Sequence, residues 1–283
     1  MAERIWAQLA STLGSPVAKT SSVSGGDIND AYRVTLADGR EVFVKTNEAA
    51  PKGMFQAEAR GLSWLAEPGV IRVPEVLAVA STGAFLVLEW LSPGDRQHDF
   101  DERLGQSLAS LHRFGAPSFG LDHDNFIGTL PQANARALDW PAFYRQQRLA
   151  PLVRRAAHHL GADLQQDFER LYARLPDLVG AAEPPARLHG DLWGGNLHAD
   201  DSGSPCLIDP AVYGGHREID LAMMRLFGGF GERVFDAYQE AFPLQAGWRE
   251  RVALYQLYPL LVHVNLFGGS YLGGVQRALS RYV

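Results

Sequence analysis

The chain has 283 residues, of which 46% are hydrophobic and 20% are charged, so it is long enough to bury a large core in one big or two modest domains. Its net charge is -6 and it contains no block of Lys and Arg, which excludes the electrostatic surface of a general nucleic-acid binder. With one cysteine, Cys206, no signal-peptide layout and no apolar run near the ~18 residues of a membrane span, the sequence predicts a cytoplasmic protein without a membrane partner.

Two hairpins are predicted near the start of the chain. Residues 32–45 contain two β-branched runs on either side of the turn dipeptide Asp38–Gly39. Residues 73–91 contain a second pair of extended runs, which is followed by a short linker with Pro and Gly. We therefore expect an N-terminal lobe over residues 1–93, built on an antiparallel sheet.

The segment between the two hairpins predicts one helix, over residues 53–67. Phe55 and Leu62 share one face of this helix, and Glu58 lies on the same face. Because an unpaired carboxylate is costly in a core, Glu58 should have a cationic partner. The nearest candidate in sequence is Lys45, at the end of the preceding strand.

The remainder of the chain, residues 94–283, predicts a mainly helical lobe. Apolar residues at spacings of three and four predict helices over residues 100–114, 139–160, 162–175, 217–228, 232–242 and from 248 to the C-terminus. A break or kink is expected at Pro259. The exception is the stretch 187–210, where RLHG, GNLHA and PCLIDP predict short strands and turns among the helices.

That exceptional stretch contains the pattern H-G-D-x-x-x-x-N, which favours a kinase catalytic loop. Phosphoryl transfer requires a positioned acceptor hydroxyl and neutralised phosphate charge. Asp191 would accept the hydroxyl proton, while Asn196 and Asp209 would bind Mg²⁺. Lys45 would hold the nucleotide phosphates and Glu58 would orient it. The alternatives are turn and cap residues for the loop, and a simple buried ion pair for Lys45 and Glu58.

The motifs HGDLWGGN and IDPAVYGGHREIDLAMMRLFGGF resemble the fructosamine-3-kinase, or ketosamine kinase, family, which is related to aminoglycoside and choline kinases. The resemblance extends along nearly the whole chain through SGGDINDAYRV, VFVKTN, FQAEARGLSWL, IRVPEVLAV, LVLEWL, DNFIGTLPQ and NLFGGSY. It implies a two-lobed, protein-kinase-like α+β fold that binds ATP and Mg²⁺ between its lobes. The implied activity is phosphorylation of the 3-hydroxyl of a ketosamine, which removes glycation. The expected partners are small sugar-amine adducts, with glycated protein side chains as a further class.

The resemblance also implies further site residues. Backbone groups of Glu89, Trp90 and Leu91 would bind adenine, and Gly25 and Gly26 would approach the phosphates. His189 is expected to orient the catalytic loop, and Asp220 to brace it or to favour a helix dipole. Trp193 would contact the substrate or pack as core, and His263 and Asn265 would line the sugar pocket or be satisfied core polar groups.

Two departures from the family pattern limit what is carried over. Asp27 stands where several members have cysteine, so redox control through that loop is not expected here. The residues ANARALDW replace a region in which another tryptophan is expected, which leaves the substrate preference open.

Three rival functions remain from the sequence. The first is a kinase for another small hydroxyl compound, such as an aminoglycoside or an amino alcohol. The second is a metallohydrolase, in which His189, Asp191, His198 and Asp209 would bind a metal that activates water. The third is a nucleotide-binding module without catalysis.

Overall fold

The structure is a computed structural model, and it describes residues 2–24 and 28–283. Gly25, Gly26 and Asp27, expected near the nucleotide phosphates, lie outside these ranges. The elements that begin before residue 100 are α1 (Ala2–Leu13), β1 (Val17–Ser22), β2 (Asp30–Leu36), β3 (Glu41–Thr46), α2 (Met54–Ala66), β4 (Val76–Val79) and β5 (Phe85–Glu89).

The remainder of the chain is mainly helical. Its elements are α3 (Phe100–Phe114), β6 (Asn125–Ile127), β7 (Leu130–Gln132), α4 (Trp140–Phe143), a π-helical segment (Tyr144–Leu149), α5 (Ala150–Arg155), α6 (Ala157–Leu178), β8 (Ala186–Leu188), a 3₁₀ turn (Gly194–Asn196), β9 (Leu197–Ala199), β10 (Pro205–Leu207), β11 (Tyr213–Gly215), α7 (Glu218–Phe227), α8 (Glu232–Ala241), α9 (Trp248–Phe267), a second 3₁₀ turn (Gly269–Tyr271) and α10 (Leu272–Leu279). Both predicted hairpins, the helix after the first of them and the short strands around the H-G-D motif are confirmed. No helix among the described residues is both long and apolar enough to cross a bilayer.

The chain divides into two compact units. The first consists of the described residues of Met1–Phe100 together with Leu197–Pro210, and the second of Asp101–Asn196 with Ala211–Val283. The sequence predicted one division, near residue 93. The units of the structure additionally place β9 and β10 with the N-terminal residues, because β10 bridges to the backbone of Arg72.

The first unit is built on one antiparallel sheet with the strand order β1-β2-β3-β5-β4. Successive side chains of a strand point to opposite faces. On β5, Phe85 and Val87 pack with Leu9 of α1 in one core, whereas Leu86 and Leu88 pack with α2 in another. The sheet is therefore covered on both faces, and α2 is fixed against the face from which Lys45 is presented.

The second unit has a large core around α9, whose residues from Leu257 to Val262 are buried. Of the break or kink expected at Pro259, a break does not occur, and α9 continues to Phe267. A proline inside a helix costs about 3 kcal/mol, and burial of the flanking turns on all sides offsets that cost. The antiparallel sheet of the first unit and the helical second unit confirm the predicted α+β class.

Candidate active site

Lys45 lies at the centre of a buried charge cluster in the first unit. Its Nζ donates to Glu58 Oε1 at 2.7 Å and to Asp209 Oδ1 at 2.5 Å. The Lys45 side chain is 6% exposed and that of Glu58 12%, whereas that of Asp209 is 42% exposed. Folding thus joins the end of β3, the buried face of α2 and the segment after β10 at one ammonium group.

The cluster contains two carboxylates and one ammonium. Burial disfavours the charged form of Lys45, but the carboxylates of Asp209 and Glu58 outweigh burial and raise its pKa. For Glu58, burial and the negative charge of Asp209 outweigh the attraction to Lys45 and raise the pKa. The negative charge of the cluster exceeds its positive charge when all three groups are ionised. Such an arrangement favours a further cation near the exposed carboxylate.

Asp209 has an unusual backbone conformation. Its φ is 54°, and it is the one non-glycine residue with positive φ in the described ranges. The left-handed region is disfavoured for residues with a side chain, although Asp tolerates it better than most. Strain of about 1 to 3 kcal/mol at such positions is found preferentially at functional sites. The conformation aims the carboxylate at Lys45.

The H-G-D-x-x-x-x-N loop forms a compact turn in the second unit. Asn196 Nδ2 donates to the backbone oxygen of Asp191 at 2.8 Å and to Asp191 Oδ2 at 3.2 Å. Because the amide nitrogen faces Asp191, the amide oxygen of Asn196 faces away from it. Asp191 is half-buried, while Asn196 is 5% exposed. The five-residue spacing therefore sets an amide oxygen beside a carboxylate.

Asp220, near the start of α7, fixes the backbone of the loop. Asp220 Oδ2 accepts from the backbone N–H of His189 at 2.8 Å, and Oδ1 accepts from that of Gly190 at 2.9 Å. Burial opposes the ionised form of Asp220, but hydrogen bonds from His112 and the loop outweigh it and lower its pKa. The structure thus favours the bracing alternative for Asp220 over a simple helix-dipole role.

His189 is completely buried, and its Nδ1 accepts from the backbone N–H of Asp191 at 3.2 Å. This bond assigns the Nδ1 lone pair to the loop itself. The placement agrees with an orienting histidine. No group of three or more His, Cys, Asp and Glu side chains in the described ranges is arranged to hold a metal ion.

Trp193 is exposed on the same loop. Its residue exposure is 41%, so it does not pack as core. The indole folds back over Gly195, where an added Cβ would lie 2.3 Å from Trp193 Cη2. Gly195, the last glycine of HGDLWGGN, therefore makes room for the ring. A wide aromatic face is presented two residues after Asp191.

The two polar residues predicted in the C-terminal apolar segment have different surroundings on α9. His263 Nδ1 donates to the backbone oxygen of Pro259 at 2.8 Å, and its ring packs at 4.6 Å from that of Phe227 and 4.8 Å from that of Tyr271. Asn265 Nδ2 donates to the backbone oxygens of Leu152 and Leu261. Both amide hydrogens of Asn265 are thus occupied by backbone, which favours the core alternative for that residue.

The segment Glu89–Leu91, predicted to bind adenine, ends β5 and continues as irregular backbone. Glu89 Oε1 accepts from Arg72 Nη2 at 3.0 Å, so the Glu89 side chain is paired within the first unit. The Trp90 ring is covered by the Arg33 guanidinium at 4.7 Å. These contacts orient the side chains of Glu89 and Trp90.

Several polar residues that support the loop were not predicted from the sequence. His112 lies in the last turn of α3. Its Nε2 is hydrogen-bonded to Asp220 Oδ2 at 3.2 Å, and its Nδ1 to Tyr238 Oη at 2.8 Å. Asn125 and Gln132 are buried on β6 and β7, which were also missed. The signal was present in DNFIGTLPQ, where two amides occur within a short apolar run, but three-residue strands give no usable periodicity.

Comparison with known proteins places this arrangement in a family. The whole chain, residues 1–283, matches the fructosamine kinase family. A probable ketoamine kinase of Enterococcus faecium is 41% identical over 272 residues, which cover 93% of this chain and 95% of the relative. The chloroplastic protein-ribulosamine 3-kinase of Arabidopsis thaliana is 36% identical over 274 residues, covering 94% of this chain and 83% of the relative.

Solved structures agree with these relatives. A Thermobifida fusca protein assigned as a fructosamine-3-kinase is 41% identical, with a TM-score of 0.90 and 98% of each chain covered. The choline kinase of Streptococcus pneumoniae is 15% identical, with a TM-score of 0.65, covering 99% of this chain and 98% of its own. The second likeness concerns the fold alone, and it supports the protein-kinase-like class predicted from the sequence.

Proposed function

We propose that this chain, which belongs to the fructosamine kinase family, transfers the γ-phosphoryl group of ATP to the 3-hydroxyl of a ketosamine. The phosphorylated adduct then breaks down, so the reaction reverses glycation. The names of the relatives support this acceptor, since they are a ketoamine kinase and a protein-ribulosamine 3-kinase. We place the reaction in the cytoplasm, in keeping with the composition of the chain.

The observation that carries the proposal is the pairing of Lys45 with both Glu58 and Asp209. A phosphoryl-transfer enzyme needs a fixed cation for the nucleotide phosphates and a carboxylate for the metal that accompanies them. The buried ammonium of Lys45 would be the fixed cation, and the carboxylate of Asp209 would bind the metal, although the two residues are far apart in sequence. A simple structural ion pair would not need the third, half-exposed group.

Asp191 is proposed as the group that accepts the proton of the attacking hydroxyl. It is half-buried on a loop whose backbone is fixed by Asp220. Asn196 restrains the Asp191 carboxylate through Oδ2, so the rotamer of the proposed base is set before substrate binds. Trp193 would cover the apolar C–H face of the sugar while Asp191 addresses the hydroxyl.

Asp209 and Asn196 each offer an oxygen donor of a kind that suits Mg²⁺. Asp209 offers a carboxylate with a 42% exposed side chain, and Asn196 has an amide oxygen on the side away from Asp191. Oxygen donors of these kinds are the ligands that Mg²⁺ prefers, with nucleotide phosphates completing its shell. When bound, Mg²⁺ neutralises charge on the phosphates. The roles of the chain's own residues are to hold the nucleotide through Lys45 and to position the acceptor through Asp191.

A coupled ATP-consumption assay tests the acceptor. Purified protein is supplied with fructose-, ribulose- and erythrulose-amines in parallel with choline and an aminoglycoside. Glycated protein is included because the Arabidopsis relative is named for a protein-linked ribulosamine. The proposal expects turnover of at least one ketosamine and none of choline or the aminoglycoside. Turnover confined to the last two compounds would favour the rival kinase function, and none with any acceptor would favour a nucleotide-binding module.

A further inference from the structure

Arg148 is a buried cation for which the proposed chemistry gives no role. It lies in the π-helical segment Tyr144–Leu149, is 0% exposed and is the largest fully buried side chain of the described residues. Its guanidinium lies 3.7 Å from the ring centroid of Tyr213 and 4.6 Å from that of Phe143. Arginine is almost never fully buried without a paired charge, so its retention here requires a reason.

Within the described ranges no carboxylate forms an ion pair with Arg148, and its hydrogen bonds run to neutral oxygens. Nη1 donates to the backbone oxygens of Ala133 at 2.6 Å and Gln147 at 3.0 Å. Nη2 donates to Asn134 Oδ1 at 2.7 Å. The positively charged guanidinium of Arg148 therefore donates to the amide of Asn134 rather than to a carboxylate.

From Asn134 a chain of donors continues in one direction. Asn134 Nδ2 donates to Asn125 Oδ1 at 2.8 Å, and Asn125 Nδ2 donates to the backbone oxygen of Val212 at 2.8 Å. Both amide orientations are fixed, because arginine can only donate and a backbone oxygen can only accept. Donors aligned in one direction polarise one another, and a charged group at the head strengthens the series.

A second branch joins this series from α9. The Tyr258 hydroxyl donates to Gln132 Oε1. Gln132 Nε2 donates to Asn125 Oδ1 at 2.7 Å and to the backbone oxygen of Ala211 at 3.0 Å. Burial raises the pKa of Tyr258, so its hydroxyl stays protonated and remains a donor. The two branches therefore hold two consecutive backbone oxygens, those of Ala211 and Val212.

The segment held in this way contacts the proposed catalytic loop. The Ala211 N–H donates to the backbone oxygen of His189 at 2.9 Å. A Cβ at Gly190, whose φ is 83°, would lie 2.1 Å from the Ala211 backbone oxygen, so the two segments touch without room for a side chain. Asp191 follows directly, and any shift of Ala211 is transmitted to its backbone.

We propose that Arg148 is a positioning residue, which sets the backbone of Asp191 through the relay formed by Asn134, Asn125 and Gln132. The charge of Arg148 strengthens the donors of Asn134 and Asn125 and keeps these two amides in one orientation. Gln132, in contrast, is oriented by Tyr258 and meets them at Asn125 Oδ1. Asp220 holds the loop from one side, and the relay holds it through Ala211 from the other. The inference rests on the proposed role of Asp191 as the group that accepts the hydroxyl proton.

The relay is tested first with Tyr258→Phe, which removes only the hydroxyl that donates to Gln132 Oε1. The matched control is Tyr144→Phe, because the Tyr144 hydroxyl is equally buried and donates to the Leu254 backbone oxygen at 2.7 Å, outside the relay. We expect Tyr258→Phe to lower kcat about 5- to 10-fold with KM for ATP unchanged, since small misplacements of reacting groups are costly. Tyr144→Phe should lose similar thermal stability and keep its kcat within about twofold.

Amide hydrogen exchange supplies a readout that needs no turnover. Peptides covering residues 188–191 and 211–213 should exchange faster in Tyr258→Phe than in Tyr144→Phe, since the bonds to Ala211 and His189 loosen. Equal exchange and equal kcat in the two variants would overturn the relay.

Arg148→Met removes the head of the relay, and we expect a loss of kcat of about 100-fold that Arg148→Lys partly restores. A folded Arg148→Met enzyme with normal kcat would overturn the proposal. If Arg148→Met does not fold, the tyrosine pair decides. Asp191→Asn is assayed alongside: if it is inactive while Tyr258→Phe is normal, the relay is wrong and the proposed function stands. Normal turnover by Asp191→Asn would instead contradict the proposed function, and hydrogen exchange would still decide the relay.

Discussion

Replacing Glu58 with Gln separates a nucleotide site from a structural ion pair. Glu58 Oε1 lies 2.7 Å from Lys45 Nζ, and Asp209 Oδ1 contacts the same ammonium at 2.5 Å. The substitution keeps the size of the side chain and an oxygen that accepts from Lys45. It removes one of two negative charges, so Lys45 retains Asp209 as its partner and is drawn toward it.

The expected magnitudes follow from this geometry. A hydrogen bond between charged groups contributes about 1.5 to 3 kcal/mol, and a neutral acceptor retains roughly half of that. The loss of orientation at Lys45 is then about 1 kcal/mol, which corresponds to a rise of about 5-fold in KM for ATP. Unfolding free energy should change by less than about 1 kcal/mol, because burial already raises the pKa of Glu58 and the variant no longer buries that charge.

Lys45→Met is the comparison that sharpens the result. It leaves Glu58 and Asp209 without their shared cation, which is expected to cost about 3 to 5 kcal/mol of stability as well as most of the turnover. Both variants are measured by ATP titration at saturating ketosamine and by urea unfolding. A loss of stability in Glu58→Gln as large as in Lys45→Met, with KM for ATP unchanged, would refute the argument and leave a structural ion pair.

Four further outcomes are expected. Asp191→Asn should lower kcat by about 100- to 10,000-fold with ATP affinity nearly intact, because the amide cannot take the acceptor proton; near-normal turnover would contradict the assignment. Asp209→Asn should raise the Mg²⁺ concentration needed for nucleotide binding as well as lower turnover, and an unchanged Mg²⁺ titration would count against its role. Trp193→Ala should raise KM for the ketosamine or lower kcat while KM for ATP stays within a few-fold, with little change in thermal stability because the residue is 41% exposed; equal changes in both KM values would remove it from the acceptor pocket. Burial lowers the pKa of His216 to about 4. Between about pH 6.5 and pH 4, His216 is therefore protonated in the unfolded chain and neutral in the folded chain. The free energy of unfolding should fall as pH falls through this range, by about 2 kcal/mol at pH 5. In His216→Gln, urea unfolding at pH 7 and pH 5 should show a smaller difference, and an equal difference would refute this source of acid sensitivity.

Much of the first unit was predictable because its signals are local. The β-branched runs around Asp38–Gly39 predict a hairpin, and β2 and β3 form one. An acid on the apolar face of α2 predicts a cationic partner, and Lys45 is that partner. The helix α1 was not predicted, although Leu9 of that helix is in the core.

The supports of the proposed site were less predictable because they depend on contacts between distant segments. The approach of Asp209 to Lys45 depends on β9 and β10 folding with the N-terminal residues, which no local pattern encodes. Arg148 lies in a segment predicted only as helix, and its burial depends on polar partners at Ala133 and Asn134, which follow β7. Sequence motifs therefore predict the residues that would contact the substrates more readily than the residues that position those side chains.

Identification of the product tests the central claim most directly. The protein is incubated with ATP, Mg²⁺ and fructose-amine, and the phosphorylated sugar is examined by ³¹P and proton NMR before and after its breakdown. The proposed function predicts a single phosphate ester on the 3-hydroxyl, formed by the wild type and not by Asp191→Asn. A phosphate on another hydroxyl, no phosphorylated sugar-amine at all, or the same product at the same rate from Asp191→Asn would contradict it.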